Sequence, residues 1–350
     1  MTSASIIADV RAICSGNPPL NDISKVLRFH DCMYLMSKVQ KHSMDCMKEY
    51  AINAASVHER FHNCAPIFSM LEKNNISYAV IKGATLSLAA YGGIGYRSSG
   101  DIDILISRSD IKHVKQILIN AGFVQGHIVD GKIVPFTRQE IVFQTAMSHQ
   151  LPIFLKSSNS PLCPYIIVDI NVDVMWGESG YKTNMAEYLA YTENAEIYGV
   201  RFRKLTPEAE FVSLCLHHYK DSNSLYLLYN GNLKLKIFSD IYFYLKNNEL
   251  DFHVLNSICN KFKVKEYVYW CIYNTNIIFN DMTTKKYMTL LYTDYAANIL
   301  NTYGLTDSEY HIWSISLPER LFETNIRDYL NKVLSKNELE KIHLNSMYMR

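Results

Sequence analysis

The feature that most constrains this chain is a short apolar stretch carrying two carboxylates, Asp101-Ile102-Asp103-Ile104-Leu105. Side chains on a strand alternate between faces, so Asp101 and Asp103 point one way while Ile102 and Ile104 point into a sheet. Two carboxylates held about 6–7 Å apart at the end of a buried strand repel each other, and a hard cation, which prefers oxygen ligands, removes that cost. Upstream, the apolar run Tyr78 to Ile81 stops at Lys82-Gly83, and Ala84 to Tyr91 can form a helix. A turn that lacks a side chain lets backbone N–H groups at a helix N-terminus approach a phosphate, and Lys82 adds a point charge beside Gly83. Arg97, followed by Ser98, Ser99 and Gly100, is a second candidate phosphate contact leading straight into Asp101. A lone Asp-x-Asp also occurs on solvent-facing strands, but here the turn, the arginine and the order of elements agree.

This order resembles the nucleotidyltransferase superfamily of the DNA polymerase beta type, whose signature is a Gly-Gly or Gly-Ser turn followed by Asp-x-Asp on the next strand. Within it, KGATL, Tyr91, Gly95-x-Arg97 and GDIDILI look most like a poorly characterised bacterial nucleotidyltransferase family. Two departures stand out: Ala84 replaces the usual serine, and the gap from Gly83 to Asp101 is longer than in most members. Lys82 or Ser99 is then expected to take over the serine's phosphate contact. The superfamily also needs a third carboxylate on the strand beside Asp-x-Asp. The stretch Tyr165 to Trp176 alternates with period two and sets Asp169, Asn171 and Asp173 on one face. The resemblance puts Asp169 in the carboxylate position, with Asn171 where the family often has histidine and Asp173 in reserve. It also implies a basic residue four before an aspartate, matched by Lys236 and Asp240, which either faces the triphosphate or forms a surface ion pair. His217 or His218 matches a histidine of the preceding helix.

The expected activity is therefore transfer of a nucleoside monophosphate from an NTP, with ATP foremost, to a hydroxyl or amine of a small molecule, peptide or protein. The resemblance makes Mg²⁺ or Mn²⁺ the cofactor, held by Asp101, Asp103 and Asp169, and assigns the phosphates to Lys82, Gly83, Arg97, Ser99 and Lys236. Two rivals are a toxin-like enzyme that adds nucleotides to tRNA ends and a noncatalytic nucleotide-binding module; three intact carboxylates argue against the second.

Composition narrows the partners. The 35 basic and 34 acidic residues leave a formal net charge of +1, so no bulk field attracts long nucleic acids. The eight cysteines are scattered without a Cys-x-x-Cys pair, and no apolar run approaches the roughly 20 residues that cross a bilayer. A cytoplasmic protein without membrane contact is expected. His58-Glu59-Arg60-Phe61-His62 matches His-Glu-x-x-His, which on a helix would offer zinc two imidazoles one turn apart. The charged Arg60 and the lack of a following third ligand favour a solvated helix face over a zinc peptidase.

The fold expected is α+β, a small mixed-sheet catalytic core at 73–205 between an N-terminal helical region at 1–72 and a C-terminal helical domain at 206–350. Locally, Ser107 or Ser109 should cap a helix over Asp110 to Asn120, Asp130-Gly131 should turn a hairpin, and Ile141 to Phe143 and Ile153 to Leu155 are short strand candidates with His149 near the cleft. Thr206-Pro207 should open a helix.

Overall fold

The computed structural model describes residues 1–40, 43–147, 149–231, 233–306 and 310–348; the helical expectations at 41–42, 232, 307–309 and 349–350 lie outside them. The fold is α+β and divides into two compact units, a sheet unit of residues 48–88 and 92–210 and a helical unit of residues 1–47, 89–91 and 211–350.

In the sheet unit the strands are β1 (Tyr78–Ile81), β2 (Ile102–Ile106), β3 (Val124–Val129), β4 (Lys132–Pro135), β5 (Phe154–Ser160), β6 (Cys163–Asn171), β7 (Thr192–Ile197) and β8 (Val200–Leu205). They form one sheet in the order β4-β3-β5-β6-β2-β1-β8-β7. β2 lies at its centre, antiparallel to β1 and parallel to β6. Both β1 and β2 are buried along their whole length, which matches the apolar sequence of β1 and the isoleucines and leucine around Asp103 in β2. The long helix Met44–Lys73 supplies the covering layer. Val57, Phe61, Cys64, Phe68 and Leu71 recur at helical spacing and are buried in one cluster with sheet residues Tyr78, Ile104 and Phe202. Phe68 stacks parallel to Tyr78 with ring centroids 6.1 Å apart, and Phe61 meets Phe202 edge-on at 5.2 Å.

Three local expectations are corrected. Ile141 to Phe143 is not a strand but part of the helix Arg138–Met147. The missed signal is a capping box: the Thr137 N–H donates to Glu140 Oε2 at 2.7 Å and the Glu140 N–H donates to Thr137 Oγ1 at 3.3 Å. Neither Ser107 nor Ser109 caps the helix Ile111–Asn120, which follows a single 3₁₀ turn at Arg108–Asp110, and the Ser109 hydroxyl donates to Ser107 Oγ instead. β6 stops at Asn171, so Asp173 lies beyond the strand on which alternation placed it. The turn at Asp130-Gly131 is as expected, with φ of 48° and 72°. Tyr198-Gly199 closes the β7–β8 hairpin in the same way, with φ of 51° and 77°.

The helical unit joins the two ends of the chain. Arg11, on the helix Ser3–Cys14, donates to the carbonyls of Ile277 and Ile278 at 2.8 and 2.7 Å. These are among the last carbonyls of the helix Lys265–Phe279, where a cation also complements the helix dipole. The helix Leu235–Asn247 is buried almost throughout. Its first N–H, from Leu235, donates to Nδ1 of buried His30 at 3.2 Å. A short β-hairpin, Thr302–Tyr303 with His311–Ile312, interrupts the helices. No helix among the described residues is long and apolar enough to cross a membrane. All eight cysteines are free thiols.

Candidate functional site

β1 ends at Ile81, and the next residue, Lys82, is forced to φ 56°, ψ −145°, a region costly for a residue with a Cβ. Gly83 follows at φ 46° and opens the helix Gly83–Tyr91; a Cβ on it would meet Ser99 Oγ at 3.2 Å. The strained turn bends Lys82 back along the sheet, so that its ammonium donates to Asp103 Oδ1 at 3.2 Å with both side chains almost buried. Sequence reasoning assigned Lys82 to phosphate alone. The structure places it on the carboxylate, where it neutralises a charge that β2 buries.

The loop before β2 is held from two sides. Gly95 lies against Tyr50 so closely that a Cβ there would overlap the Tyr50 carbonyl oxygen, and Asn53 Nδ2 donates to the Gly95 carbonyl at 3.2 Å. The Ser87 hydroxyl donates to the Gly93 carbonyl at 2.6 Å and accepts from the Arg97 N–H at 3.2 Å. Arg97 thus has a fixed backbone and a half-buried side chain. The Ser99 hydroxyl lies 3.1 Å from the Asp101 carbonyl and 3.3 Å from its Oδ1, so it orients Asp101.

Register brings the third carboxylate in. Asp169 on β6 is the direct partner of Asp103 on β2 in the parallel ladder, and neighbouring strands lie about 4.8 Å apart. Asn171, paired with Leu105 in that ladder, donates from Nδ2 to Asp103 Oδ1 at 3.0 Å, and Gln150 Nε2 donates to Asn171 Oδ1 at 2.9 Å. Gln150 was not expected to take part. Its place follows from the bridge it forms with Asn171, a pairing of distant residues that no local pattern announces.

Burial, and after it the nearby Asp103 charge, raise the Asp101 carboxyl above the usual carboxylate range, while Lys82, Ser99 and Arg60 act in the opposite sense. Among the described residues, Asp101, Asp103 and Asp169 do not offer three oxygens all within 4.8 Å of one another. The donor set is oxygen only, supplied by β2, the residue just before it and the adjacent β6, and carries a repulsion that a hard cation relieves. It fits Mg²⁺ or Mn²⁺.

Asp173 has a different environment. It is buried, and its carboxylate accepts from the Met175 and Thr183 N–H groups and pairs with Arg108 Nη2 at 3.7 Å. Those contacts shape the segment after β6. His149 gives its carbonyl to the Val172 N–H at 2.9 Å. In the helical unit, Lys236 stands on the helix Leu235–Asn247, four residues before Asp240. Asp240 accepts from Tyr91 Oη at 2.6 Å and pairs with His218 Nε2 at 3.1 Å.

Arg60 is the residue sequence reasoning misjudged most. It is only 6% exposed, its Nε has no hydrogen-bond partner, and its charge reaches Asp101. The signal was present: position 60 falls within the buried stripe of the long helix, so its charge had to face the protein. Around it, His58 and His62 are exposed and Glu59 is half-buried, the solvated helix face expected of the motif, with Arg60 as the exception. Glu59 Oε1 accepts from Asn63 Nδ2 and from the Ser158 hydroxyl, both at 3.0 Å. His58 stacks parallel to His62 with centroids 6.2 Å apart and meets Tyr198 edge-on at 5.0 Å.

The profile of a family described as "Uncharacterised nucleotidyltransferase" matches residues 26–280. No curated protein matches the chain. A solved structure, the crystal structure of an antigenic nucleotidyltransferase-like protein from Paracoccidioides brasiliensis, is similar at 16% identity and a TM-score of 0.34, over 65% of this chain and 99% of that one. That likeness is too weak to argue from.

Proposed function

The chain belongs to the uncharacterised nucleotidyltransferase family, and from that premise we propose that it transfers a nucleoside monophosphate from an NTP, ATP foremost, to a hydroxyl or amine of a small molecule, peptide or protein. Membership supports nucleotidyl transfer in general; the acceptor and the cation are our reading. The observation that carries it is the register of β2 and β6, which sets Asp169 opposite Asp103 beside Asp101.

Asp101, Asp103 and Asp169 would hold Mg²⁺ or Mn²⁺, which when bound supplies charge stabilisation at the reacting phosphate. The acceptor oxygen or nitrogen attacks the α-phosphorus, the bond to the β-phosphate oxygen breaks, and pyrophosphate leaves with that electron pair. Asp169 takes the acceptor's proton. The ammonium of Lys82, the Gly83 N–H at the head of its helix and the guanidinium of Arg97 bind the β- and γ-phosphates. Ser99 keeps Asp101 oriented, and the Gln150-Asn171 pair fixes Asp103, so the carboxylates need little rearrangement as charge develops. A cytoplasmic location fits the eight free thiols.

The test is incubation with each α-labelled NTP and Mg²⁺, in separate arms containing a metabolite extract, a peptide mixture or total tRNA. Label should move to the metabolite or peptide arm. Asp101→Asn and Asp103→Asn should each reduce transfer at least about a thousandfold while the protein stays folded. Label appearing in the tRNA arm alone would replace the acceptor class. Near wild-type turnover by Asp103→Asn would refute the site.

A further inference from the structure

The helical unit contains a second cluster of ligating groups, independent of the carboxylates on the sheet. His217, His218 and Asp221 lie on the helix Pro207–Asn223, and one ligand atom of each falls within 4.8 Å of the other two. Adjacent helical residues ordinarily point about 100° apart, yet the two imidazole rings converge to 5.6 Å between centroids. His217 Nε2 lies 3.2 Å from Asp221 Oδ2 across one helical turn.

The decisive group is His218. The residue is 3% exposed and its Nε2 is committed to Asp240 Oδ2 at 3.1 Å, while its Nδ1 is buried with no hydrogen-bond partner. Asp240 is itself fully buried, and its other oxygen accepts from Tyr91 Oη at 2.6 Å. A carboxylate that accepts at Nε2 fixes the proton there and leaves the lone pair on Nδ1. Tyr91, Asp240 and His218 therefore form a chain of the kind that orients an imidazole ligand. A buried imidazole nitrogen with a lone pair and no donor is costly unless something outside the chain satisfies it.

We propose that His217, His218 through Nδ1, and Asp221 bind one Zn²⁺-class transition-metal ion, with Asp240 and Tyr91 as the orienting shell. Two imidazoles and one carboxylate are a zinc donor set and a poor one for Mg²⁺, which prefers oxygen alone. The His217 and Asp221 side chains are 23% and 19% exposed, which gives an ion a route in and leaves a fourth position for water. Lys220 approaches Asp221 at the other oxygen, Oδ1, at 3.5 Å. The ion ties the helix Pro207–Asn223, through His218 and Asp240, to the helix Leu235–Asn247.

Chelator-treated full-length protein should be titrated with Co²⁺, reading the visible d–d absorption, and with Zn²⁺ by calorimetry. One equivalent should bind, the Co²⁺ bands should be tetrahedral in intensity, and Zn²⁺ should raise the melting temperature. His217→Ala and Asp221→Asn, both at partly exposed positions, should each weaken binding at least about tenfold, and Asp240→Asn about 10–100-fold through the lost orientation. The double variant Asp101→Asn, Asp103→Asn should bind Zn²⁺ as the wild type does, which separates this site from the one on the sheet. No saturable Co²⁺ or Zn²⁺ binding by the wild type, or undiminished binding by His217→Ala and Asp221→Asn, overturns the proposal.

Discussion

Asp103 in the sheet unit and Asp240 in the helical unit are both buried aspartates, but their surroundings differ. Asp103 Oδ1 is bound by Lys82 and Asn171 while a second carboxylate, Asp101, stands beside it with its pKa raised. Asp240 receives a tyrosine hydroxyl on one oxygen and an imidazole on the other. The first arrangement gathers like charge on a rigid sheet, where strand register prevents the carboxylates from escaping one another. The second divides one carboxylate between a hydroxyl and an imidazole carried on helices. Strands are suited to accumulating charge for a cation and a triphosphate, and helices to orienting a single imidazole.

The sharpest way to break this comparison is at β6. Asp169→Asn should cut single-turnover transfer by at least about a hundredfold with NTP affinity nearly unchanged, because the phosphates are held by Lys82, Arg97 and the remaining carboxylates. Asp173→Asn should leave turnover intact and lower stability by about 1–3 kcal/mol, because the acceptor for the Met175 and Thr183 N–H groups is weakened and Arg108 loses its counter-charge. Loss of turnover in the second variant with the first still active would move the third carboxylate off the ladder.

A comparable effect on stability alone is expected at the helical unit's other buried imidazole. Burial, with Lys234 nearby, lowers the His30 pKa to about 4. Its neutral form is the one that accepts the Leu235 N–H. A depressed histidine contributes stability above its unfolded pKa of about 6.5, and that contribution is lost as the pH falls towards about 4. The loss should be on the order of 3 kcal/mol. Urea unfolding of wild type and His30→Gln across that window checks it: a glutamine side chain cannot titrate, so the variant should lack this part of the slope. Parallel curves would show that His30 is not the sensing group.

The smallest effect belongs to His58→Ala. Its ring contacts His62 and Tyr198 at the edge of the sheet unit, so transfer should be unchanged and stability should fall by no more than about 1 kcal/mol. Any bound Zn²⁺ should stay, measured by metal analysis of the purified variant. Zinc that left together with activity would restore the peptidase reading of His58 to His62.

Much of the site was legible because it is local. Lys82-Gly83, Ser99, Asp101 and Asp103 fall within one strand, turn, helix and strand, where side-chain alternation and glycine chemistry act over a few residues. Asp169 was reachable because apolar residues on one face of β6 set the other face, although the strand's end at Asn171 was not, and that end separates Asp169 from Asp173. The capping box at Thr137 and Glu140 was equally local and was passed over in favour of the β-branched run that follows it.

By itself, the amino-acid sequence determined the α+β class, the carboxylate strand and the turn before it, since periodicity and backbone permissiveness are properties of neighbours in the chain. Only the tertiary structure decided that Lys82 lies on Asp103, that Gln150 supports Asn171, that Arg60 is buried, and that residues 1–47 group with 211–350. Each joins groups far apart in sequence, or chooses among partners of equal chemistry. Such a choice is made by which surfaces exclude water together, and no local pattern records it.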